Sequence, residues 1–540
     1  MYFPELFETL LKSRGVAPED KESFLNPNYD KLFSPSLLPD MDKAAERVVR
    51  AVKNGEHVVV FSDYDADGIP GAVVLSDFFK RIKYDNVSFY IPHRNDEGFG
   101  LNIDAVEECA TRSAKLIITI DCGTNDITEI NLANERGIDV IVTDHHEAQA
   151  ELPRAYAIVN PKRKESEYPF KELCGSAVAF KLVQAVLDKE SFGVKKGMEK
   201  WSLDMVGIAT LSDMVPLVGE NRILARFGLE VLRKSPRPGL LSLFRKINLD
   251  QKNLTEDDVA FMITPRINAA SRMGVPLDAF LLLSASNEAE AEQYANHLEK
   301  INQERKGVVA AMTKEAKSHL SKRENLGSVI VVGNPEWKPS LAGLVSNSLV
   351  EEFSRPVFVW GRDGDGKIKG SCRSYNGYDL FELMQGVSSE FLEFGGHKGA
   401  GGFSVSQENI HTLEEKLSKA LEKLESKAVL EEETLPIRLE DVSEGLWQTV
   451  TQFAPFGTGN EKPVFKIVNA PIKNLRQFGK ANEHMELTLS PRLKAISFFS
   501  TPTSYSLLPT STSCTLHAHL EKSYFRNRPE LRLRIVDIGV

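Results

Sequence analysis

Long apolar runs are missing from this sequence, which has a mean hydropathy of -0.24. None approaches the ~18 residues that a bilayer-spanning helix needs, so we expect no membrane segment. Residues 1–8 lack the basic start and apolar core of a signal peptide, which predicts a cytoplasmic protein. Cysteine is also scarce. The five cysteines form no Cys-x-x-Cys pair, which favours reduced thiols over disulfides or a zinc site.

An excess of positive charge is missing too. The 540 residues include 66 Lys and Arg against 76 Asp and Glu, giving a net charge of -10. Proteins that coat nucleic acids neutralise phosphates with surplus Lys and Arg, so this balance argues against such a role. It does not exclude a nuclease, because metal-binding aspartates lower the net charge while local grooves stay basic. The length predicts roughly three or four domains.

Three apolar segments that are typical of buried strands end in acidic residues. The acids follow segments 58–61, 115–120 and 138–143, and they are Asp63, Asp65 and Asp67, then Asp121, then Asp144 with His145 and His146. Helical patterns alternate with these strands, which predicts a parallel sheet with all three ends at one edge. Each end alone is equally well explained as a helix cap or a surface turn. Their recurrence favours one shared site.

Carboxylates at the carboxyl edge of a parallel sheet supply the hard oxygen ligands that Mg²⁺ and Mn²⁺ prefer. A further apolar segment, 204–217, delivers Asp213 before a proline. We consider Asp213 an additional candidate ligand, with a helix-end cap as the alternative.

Several motifs, taken in order, resemble the DHH phosphoesterase family, and within it the RecJ family of single-strand-specific 5′→3′ DNA exonucleases. The motifs occupy residues 63–68, 91–94, 97–101, 121–123, 144–146, 265–273 and 395–402. Pro70, Ser271 and Cys372 depart from the family pattern, and none of them is a proposed ligand.

The predicted fold class is α/β, and the resemblance names its parts. They are a parallel-sheet DHH domain, a long helical connector, a second α/β lobe of the DHHA1 type and a C-terminal OB-type β domain. The predicted boundaries are 1–45 for an N-terminal segment that packs on the next domain, 46–220 for the DHH domain, 221–325 for the helical region and connector, 326–410 for the DHHA1-type domain, 411–450 for a helical linker and 451–540 for the OB-type domain.

The resemblance implies metal-dependent hydrolysis of single-stranded DNA to mononucleotides, in DNA repair and recombination. Two ions of Mn²⁺ or Mg²⁺ would serve this chemistry. The proposed ligands are Asp65, Asp67, Asp121, His145 and Asp213. His146 is a further catalytic candidate, and Asp63 and Asp144 are expected to support the ligands.

Other residues are expected to contact the substrate. The candidates for binding phosphate are Arg266, Arg272, Ser371, Arg373 and His397. Mixed cations and rings in the last domain predict a groove for single strands, formed by Arg476, Phe478, Lys480, Tyr524 and Arg526. Core aromatics beside solvated arginines are the alternative for this last set.

Two other functions stay open from the sequence. One is a DHH phosphodiesterase that acts on dinucleotides or short oligonucleotides, and the other is a non-catalytic nucleic-acid-binding protein. The β domain favours a longer polymer, and the retained acids favour catalysis. The expected partners are single-stranded DNA and a helicase or single-strand-binding protein.

Overall fold

The computed structural model describes residues 3–424, 434–479, 482, 484–498, 513–524 and 529–539. Its three sheets belong to three bodies, which we call the first lobe, the second lobe and the β domain. Two helices, α1 (Pro4–Ser13) and α2 (Lys21–Leu25), precede the first lobe. Within the described ranges, no helix is long and apolar enough to cross a membrane.

The first lobe contains the predicted parallel sheet. Its elements are α3 (Met41–Asn54), β1 (Val58–Ser62), α4 (Gly68–Arg81), β2 (Val87–Tyr90), α5 (Ile103–Thr111), β3 (Leu116–Ile120), α6 (Ile127–Glu135), β4 (Asp139–Thr143) and β5 (Ala157–Val159). The strand order is β2-β1-β3-β4-β5. Every residue of β1 and β3 is buried, because helices cover both faces of the sheet and leave the continuous apolar runs no contact with water. The prediction of an α/β domain is confirmed.

Helices complete the first lobe and lead to the second. They are α7 (Gly175–Lys189), α8 (Leu203–Ser212), α9 (Gly219–Leu232), α10 (Pro238–Ile247), α11 (Glu256–Asp258), α12 (Thr264–Met273), α13 (Leu277–Ser284) and α14 (Glu288–Leu320). A π-helical turn, Val259–Ile263, separates α11 from α12. The 33-residue α14 joins the lobes, since Ala295 and Leu298 pack in the first core and Met312 and Ala316 in another.

The second lobe is built on a mixed sheet. Its elements are β6 (Ile330–Gly333), α15 (Pro339–Phe353), β7 (Val357–Arg362), β8 (Ile368–Arg373), α16 (Leu380–Gln385), β9 (Phe391–His397), β10 (Ala400–Val405) and α17 (Leu413–Leu421). The strand order is β6-β7-β8-β10-β9. The glycine-rich motif 395–402 falls in the hairpin between β9 and β10. Helix α17 packs against this lobe through Leu413 and Leu417.

The β domain is built on a seven-stranded sheet. Its elements are β11 (Thr434–Pro436), α18 (Glu444–Thr451), β12 (Val464–Pro471), β13 (Asn474–Phe478), β14 (His484–Ser490), β15 (Leu493–Ser497), β16 (Ser513–Ser523) and β17 (Glu530–Gly539). The strand order is β11-β12-β16-β17-β15-β14-β13. Alternate residues of β14 and β16 are buried, as expected for strands with one face on the core.

Helix α1 packs on the β domain and not on the domain that follows it in sequence. Phe7, Leu10 and Leu11 are buried in the core of the β domain, and the Phe7 and Phe453 ring centroids lie 5.2 Å apart. Only the later part of the segment, around Leu38, joins the first core. The prediction for residues 1–45 was therefore wrong for α1, because its apolar face finds its partner in a domain far away in sequence.

We expect Phe7→Ala to loosen the β domain. Phe7 is 4% exposed, and truncating a buried Phe costs about 3–5 kcal/mol. Amide hydrogen exchange of β12 and β16 should accelerate in the variant. Glu5→Ala, on the exposed side of the same helix, serves as the control and should exchange like the wild type. Unchanged protection in Phe7→Ala would show that α1 adds nothing to this core.

Candidate active site

The turn after β1 holds a group of carboxylates. Asp65 Oδ1 accepts the backbone N–H of Asp67 at 2.7 Å and that of Gly68 at 3.2 Å, which fixes the turn. A Cβ on Gly68 would lie 2.4 Å from the carbonyl oxygen of Asp63, so only glycine fits at this position. Asp63 and Asp67 are both buried. The turn therefore brings three acids to the end of β1.

The N-terminus of α7 anchors Asp67. The backbone N–H groups of Gly175 and Ser176 donate to its two carboxylate oxygens at 2.6 and 2.8 Å. The helix dipole also favours negative charge at this end. A Cβ on Gly175 would lie 2.6 Å from Cβ of Asp121, so glycine allows the helix and the end of β3 to approach closely.

His145 lies among carboxylates that come from three different elements. Its Nε2 atom is 3.1 Å from Asp121 Oδ1, 3.6 Å from Asp213 Oδ2 and 3.7 Å from Asp67 Oδ2. Asp121 has a φ of +61°, a left-handed conformation that non-glycine residues rarely adopt. Asp213 caps the C-terminal end of α8. The structure thus brings together all five residues that the sequence proposes as ligands, because Asp65 belongs to the same turn as Asp67.

The carboxylate of Asp144 organises the Asp-His-His triplet. Its oxygens accept the backbone N–H of His145 at 2.7 Å, the ring Nδ1–H of His146 at 2.8 Å and the N–H of Thr124 at 3.0 Å. Burial alone would raise the pKa of Asp144, but His146 outweighs it and holds that pKa well below its usual range. Burial opposes protonation of His146, yet Asp144 raises the pKa of His146 to about 9. His146 is therefore protonated near neutral pH.

Three groups of donor atoms at this edge could each hold a cation, and the atoms of each group lie within 4.8 Å of one another. Asp121 and His145 each belong to two of the groups, so the groups adjoin. The groups are Asp63, Asp65 and Asp121; Asp67, His145 and Asp213; and Asp121, His145 and His146.

The electrostatics of these groups suit a divalent cation. Burial, together with the carboxylates of Asp67 and Asp65, raises the pKa of Asp213 to about 9 and that of Asp121 well above its usual range. Among the residues that the structure describes, Asp121 Oδ1, Asp63 Oδ1 and His145 Nδ1 are buried and have no hydrogen-bond partner. A hard cation would satisfy the carboxylate oxygens and offset their repulsion. The donor set of carboxylates and imidazoles therefore fits Mg²⁺ or Mn²⁺.

Four arginines, Arg94, Arg272, Arg305 and Arg373, form a basic cluster where the two lobes meet, which we call the arginine pocket. Burial and the nearby charges of Arg94, Arg305 and Arg373 lower the pKa of Arg272 to about 9, and Asp65 acts on it in the opposite direction. Arg272 donates to the carbonyl oxygen of Ser340 on α15 at 2.8 Å, and the Ser340 hydroxyl donates back to the Arg272 carbonyl oxygen at 3.0 Å. The pocket thus lies within electrostatic reach of the acidic cluster.

The second lobe contributes Arg373 and Ser371 to this pocket. Arg373 Nη1 donates to Ser371 Oγ at 3.0 Å. A Cβ on Gly343 of α15 would lie 2.9 Å from Arg373 Nη2, so glycine makes room for the guanidinium. Arg94 and Arg305 also belong to this cluster and were not among the predicted phosphate-binding residues. Arg94 ends the motif at residues 91–94, while the charged pattern around Arg305 is typical of a solvated helix face.

Arg266 and His397 were also predicted to contact phosphate. Arg266 is buried, its Nε donates to Glu299 at 2.6 Å, and its Nη1 donates to the Met262 carbonyl oxygen at 2.5 Å. Glu299 on α14 pairs with this guanidinium and ties α12 to α14, and a phosphate contact of Arg266 stays a prediction. His397 lies on the exposed β9–β10 hairpin, where its Nδ1 accepts the N–H of Gly399 at 3.3 Å.

Three rings lie side by side across one face of the β domain, with a guanidinium at each end of the row. The ring centroids of Phe478 and His484 are 5.1 Å apart, and those of His484 and Phe498 are 5.4 Å apart. Arg476 Cζ lies 5.6 Å from the Phe478 centroid, and Arg532 Cζ lies 5.7 Å from that of Phe498. We call these five residues the ring track.

The predicted groove overlaps the ring track only in part. Arg476 and Phe478 belong to both, Tyr524 directly follows β16, and Lys480 and Arg526 lie outside the described residues. His484, Phe498 and Arg532 were missed. Strand alternation could have placed His484 and Arg532 on one face, but only the sheet order shows that their strands and Phe498 are neighbours.

A fourth strand end supports the Asp-His-His triplet. Asn160 follows β5, is fully buried, and donates from Nδ2 to the His146 carbonyl oxygen and to Thr124 Oγ1, both at 2.9 Å. Thr124 in turn donates to Asp144. Asn160 was missed because the short strand before it ends in an amide and not in an acid.

We expect Asn160→Ala to weaken metal binding. The change leaves the His146 carbonyl oxygen and the Thr124 hydroxyl without their donor and frees the triplet to shift, and loss of such a supporting partner typically costs about 10–100-fold in metal affinity. Titration calorimetry with Mn²⁺ measures the effect. Asn26→Ala removes an exposed amide that bonds Glu22, and should bind like the wild type. Equal affinities for all three proteins would contradict the role of Asn160.

The raised carboxyl pKa values predict how stability depends on pH. The folded metal-free protein retains protons up to about pH 9 at Asp213, whereas an unfolded Asp has a pKa of about 3.9. Because the folded state binds more protons, metal-free stability should fall as pH rises between these values. Since metal ligands must be deprotonated, Mg²⁺ binding should release protons and tighten over the same range.

Thermal melting against pH, with and without Mg²⁺, tests this linkage. Calorimetry in two buffers of different ionisation enthalpy counts the released protons. Asp213→Asn should flatten the metal-free profile, while Asp104→Asn, at an exposed carboxylate of α5, should leave it unchanged. A metal-free melting temperature that rises with pH, with no proton release, would contradict the linkage.

Comparison with known proteins identifies the family. Residues 57–210 match the model of the DHH family N-terminal domain, 326–429 the DHHA1 domain and 435–537 the RecJ OB domain. The single-stranded-DNA-specific exonuclease RecJ of Bacillus subtilis is 33% identical over 100% of this chain and 68% of its own length. The RecJ of Salmonella typhimurium is 30% identical over 90% of this chain and 87% of its own length.

Solved structures agree. A RecJ from Thermus thermophilus in complex with Mn²⁺ matches with a TM-score of 0.80 and 25% identity, over 98% of this chain and 75% of that one. An exonuclease RecJ bound to manganese matches with a TM-score of 0.61 and 30% identity, over 72% of this chain and 96% of that one. The resemblance noted from the motifs, including the DHHA1-type lobe and the OB-type β domain, is confirmed. This chain belongs to the RecJ family of single-stranded-DNA-specific exonucleases.

Proposed function

We propose that this chain hydrolyses single-stranded DNA in the 5′→3′ direction, with Mn²⁺ or Mg²⁺, and releases mononucleotides. The observation that carries the proposal is the cluster of Asp65, Asp67, Asp121, His145 and Asp213 beside the arginine pocket. The names of the relatives support the activity and the substrate. The 5′→3′ polarity is part of the proposal and follows the family resemblance.

The cluster would hold two cations through those five residues, with Asp63 adjoining them. Bound divalent cations supply an activated water near neutral pH and stabilise charge on the phosphate and the leaving oxygen. The N–H groups at the start of α7 hold Asp67 in position and offset part of the rise in its pKa that burial causes. Asp144 fixes His146 with Nδ1–H as its donor, so that the other ring nitrogen remains to contact a phosphate oxygen.

The arginine pocket would bind the terminal phosphate of the strand. Guanidinium groups match phosphate oxygens in a bidentate fork, and Arg272 lies among three more guanidiniums, all of them half-buried. A phosphate held there, within reach of Asp65, would leave the next phosphodiester at the acidic cluster. This spacing would limit each cut to one nucleotide and would explain an exonuclease rather than an endonuclease.

The ring track would hold the rest of the strand. Stacking of bases on rings is tolerant of sequence, and the arginines at the two ends of the track can neutralise phosphates. A dinucleotide bound at the acidic cluster would not need a second binding surface on the β domain. The ring track therefore favours a polymeric substrate over the phosphodiesterase alternative.

The cellular setting is also proposed. An enzyme restricted to single strands needs them to be exposed, so a helicase or a single-strand-binding protein is the expected partner in DNA repair and recombination. On the basis of the sequence, we place this DNA hydrolysis in the cytoplasm.

The test is digestion of end-labelled strands with Mn²⁺. Mononucleotides should appear from the 5′ end of single strands, and duplexes and chelator-treated samples should resist. Arg272→Gln should lose most of any preference for a 5′-phosphate over a 5′-hydroxyl. Arg245→Gln, an exposed arginine on α10, is the matched control. Internal cuts, or full activity in chelator, would contradict the proposal.

A further inference from the structure

Phe261 is an exposed aromatic in an unusual backbone setting. It lies in the π-helical turn Val259–Ile263, and 59% of its surface is exposed. Single exposed hydrophobic residues are common and need no explanation. A π-helical turn, however, is rare, inserts an extra residue into the helix, and occurs frequently at functional sites. The surroundings of this ring therefore indicate its role.

On one side, the helical segment that carries Phe261 reaches the acidic cluster. Thr264 begins α12, and its Oγ1 lies 2.5 Å from Oγ of Ser212, the residue before Asp213. Further along α12, Asn268 Oδ1 accepts the N–H of Ala66, between Asp65 and Asp67, at 2.9 Å. The π-helical turn therefore lies at the margin of the cluster.

On the other side, Phe261 contacts the β domain. Arg534 Cζ lies 5.4 Å from the centroid of the Phe261 ring. Arg532 lies on the same face of β17, two residues earlier, and both guanidiniums contact the carboxylate of Glu521, at 3.3 and 3.5 Å. Since Arg532 also lies over Phe498, the ring track continues through Arg534 to Phe261.

We propose that Phe261 stacks on a base of the single strand where the strand leaves the ring track and enters the cleft of the acidic cluster. The inference rests on the proposed function and adds a contact residue to it. The first lobe supplies this ring, and its exposed area leaves room for a base. Arg534 would then lie beside the sugar-phosphate backbone, where its positive charge favours binding.

The competing role for Phe261 is purely structural. Its ring and Arg534 could serve only to hold the β domain on the first lobe, next to the ion pair between Lys462 and Asp257. A structural contact of this kind would affect the stability of the junction equally whether or not DNA is present. Stacking, in contrast, requires a base of any kind at one position of the strand.

An abasic scan separates the two roles. Full-length protein carrying Asp121→Asn, to prevent hydrolysis, is titrated in Mn²⁺ with 5′-phosphorylated strands of about 20 nucleotides, each lacking the base at one successive position. Binding is followed by fluorescence anisotropy. With Phe261 present, one or two adjacent positions should show a loss of about 5- to 150-fold, the range expected for one stacked base.

Substitutions at Phe261 complete the test. Phe261→Leu should bind the intact strand more weakly and lose the penalty at those positions alone, and Phe261→Tyr should retain the penalty. Phe381→Leu, an exposed ring on α16, should reproduce the parent profile. The same abasic profile in the parent and in Phe261→Leu would overturn the proposal and leave the structural role.

The outcome is independent of the hydrolysis assay. If wild-type protein fails to digest single strands but the position-specific penalty depends on Phe261, the proposed activity fails and the stacking contact stands. If digestion occurs without such a penalty, the activity stands and the stacking contact fails.

Discussion

Mutual repulsion among buried carboxylates is the constraint on which the rest of this structure depends. Asp67, Asp121 and Asp213 lie together around one imidazole, where water cannot screen their charges. The protein compensates only in part, with the N–H groups of α7 at Asp67. Burial and the remaining repulsion raise the pKa values of Asp121 and Asp213, so their ionisation opposes folding until a cation binds. Burial of apolar strands such as β1 and β3 stabilises the fold and offsets this repulsion.

The same constraint explains why the site is assembled from so many elements. Beside the cluster, Asp144 and His146 form an ion pair with no net charge. Thr124 bonds to Asp144, and Asn160 bonds to Thr124 and to the His146 carbonyl oxygen, which holds the pair in place. Each of these contacts is short and directional, so the charges cannot move apart to relieve their repulsion. Preorganisation of this kind holds the donor atoms in the positions that bind a cation and prevents the side chains from turning away to other partners.

Local sequence patterns were sufficient to predict the core of the site. Apolar runs identify β1, β3 and β4, and parallel pairing then brings the acids that follow them to one edge. The assignment of ligands among them came with the family resemblance, and Asp213 is supplied by the end of α8. The motif around Arg266 could not show that its guanidinium pairs with Glu299, because Glu299 lies on another helix 33 residues later. Arg305 and Phe498 were missed for the same reason. Their neighbours are set by the docking of whole domains, which no local pattern records.

Packing of α1 on the β domain has a consequence for synthesis. The ribosome makes α1 long before the strands that cover Phe7, Leu10 and Leu11, because the first of those strands begins only at Thr434. At typical elongation rates of about 5–20 residues per second, the apolar face of this helix waits on the order of tens of seconds for its partner. During that interval the nascent chain exposes a surface that other nascent chains or chaperones can bind. The first lobe, which closes from contiguous sequence, can fold in the meantime.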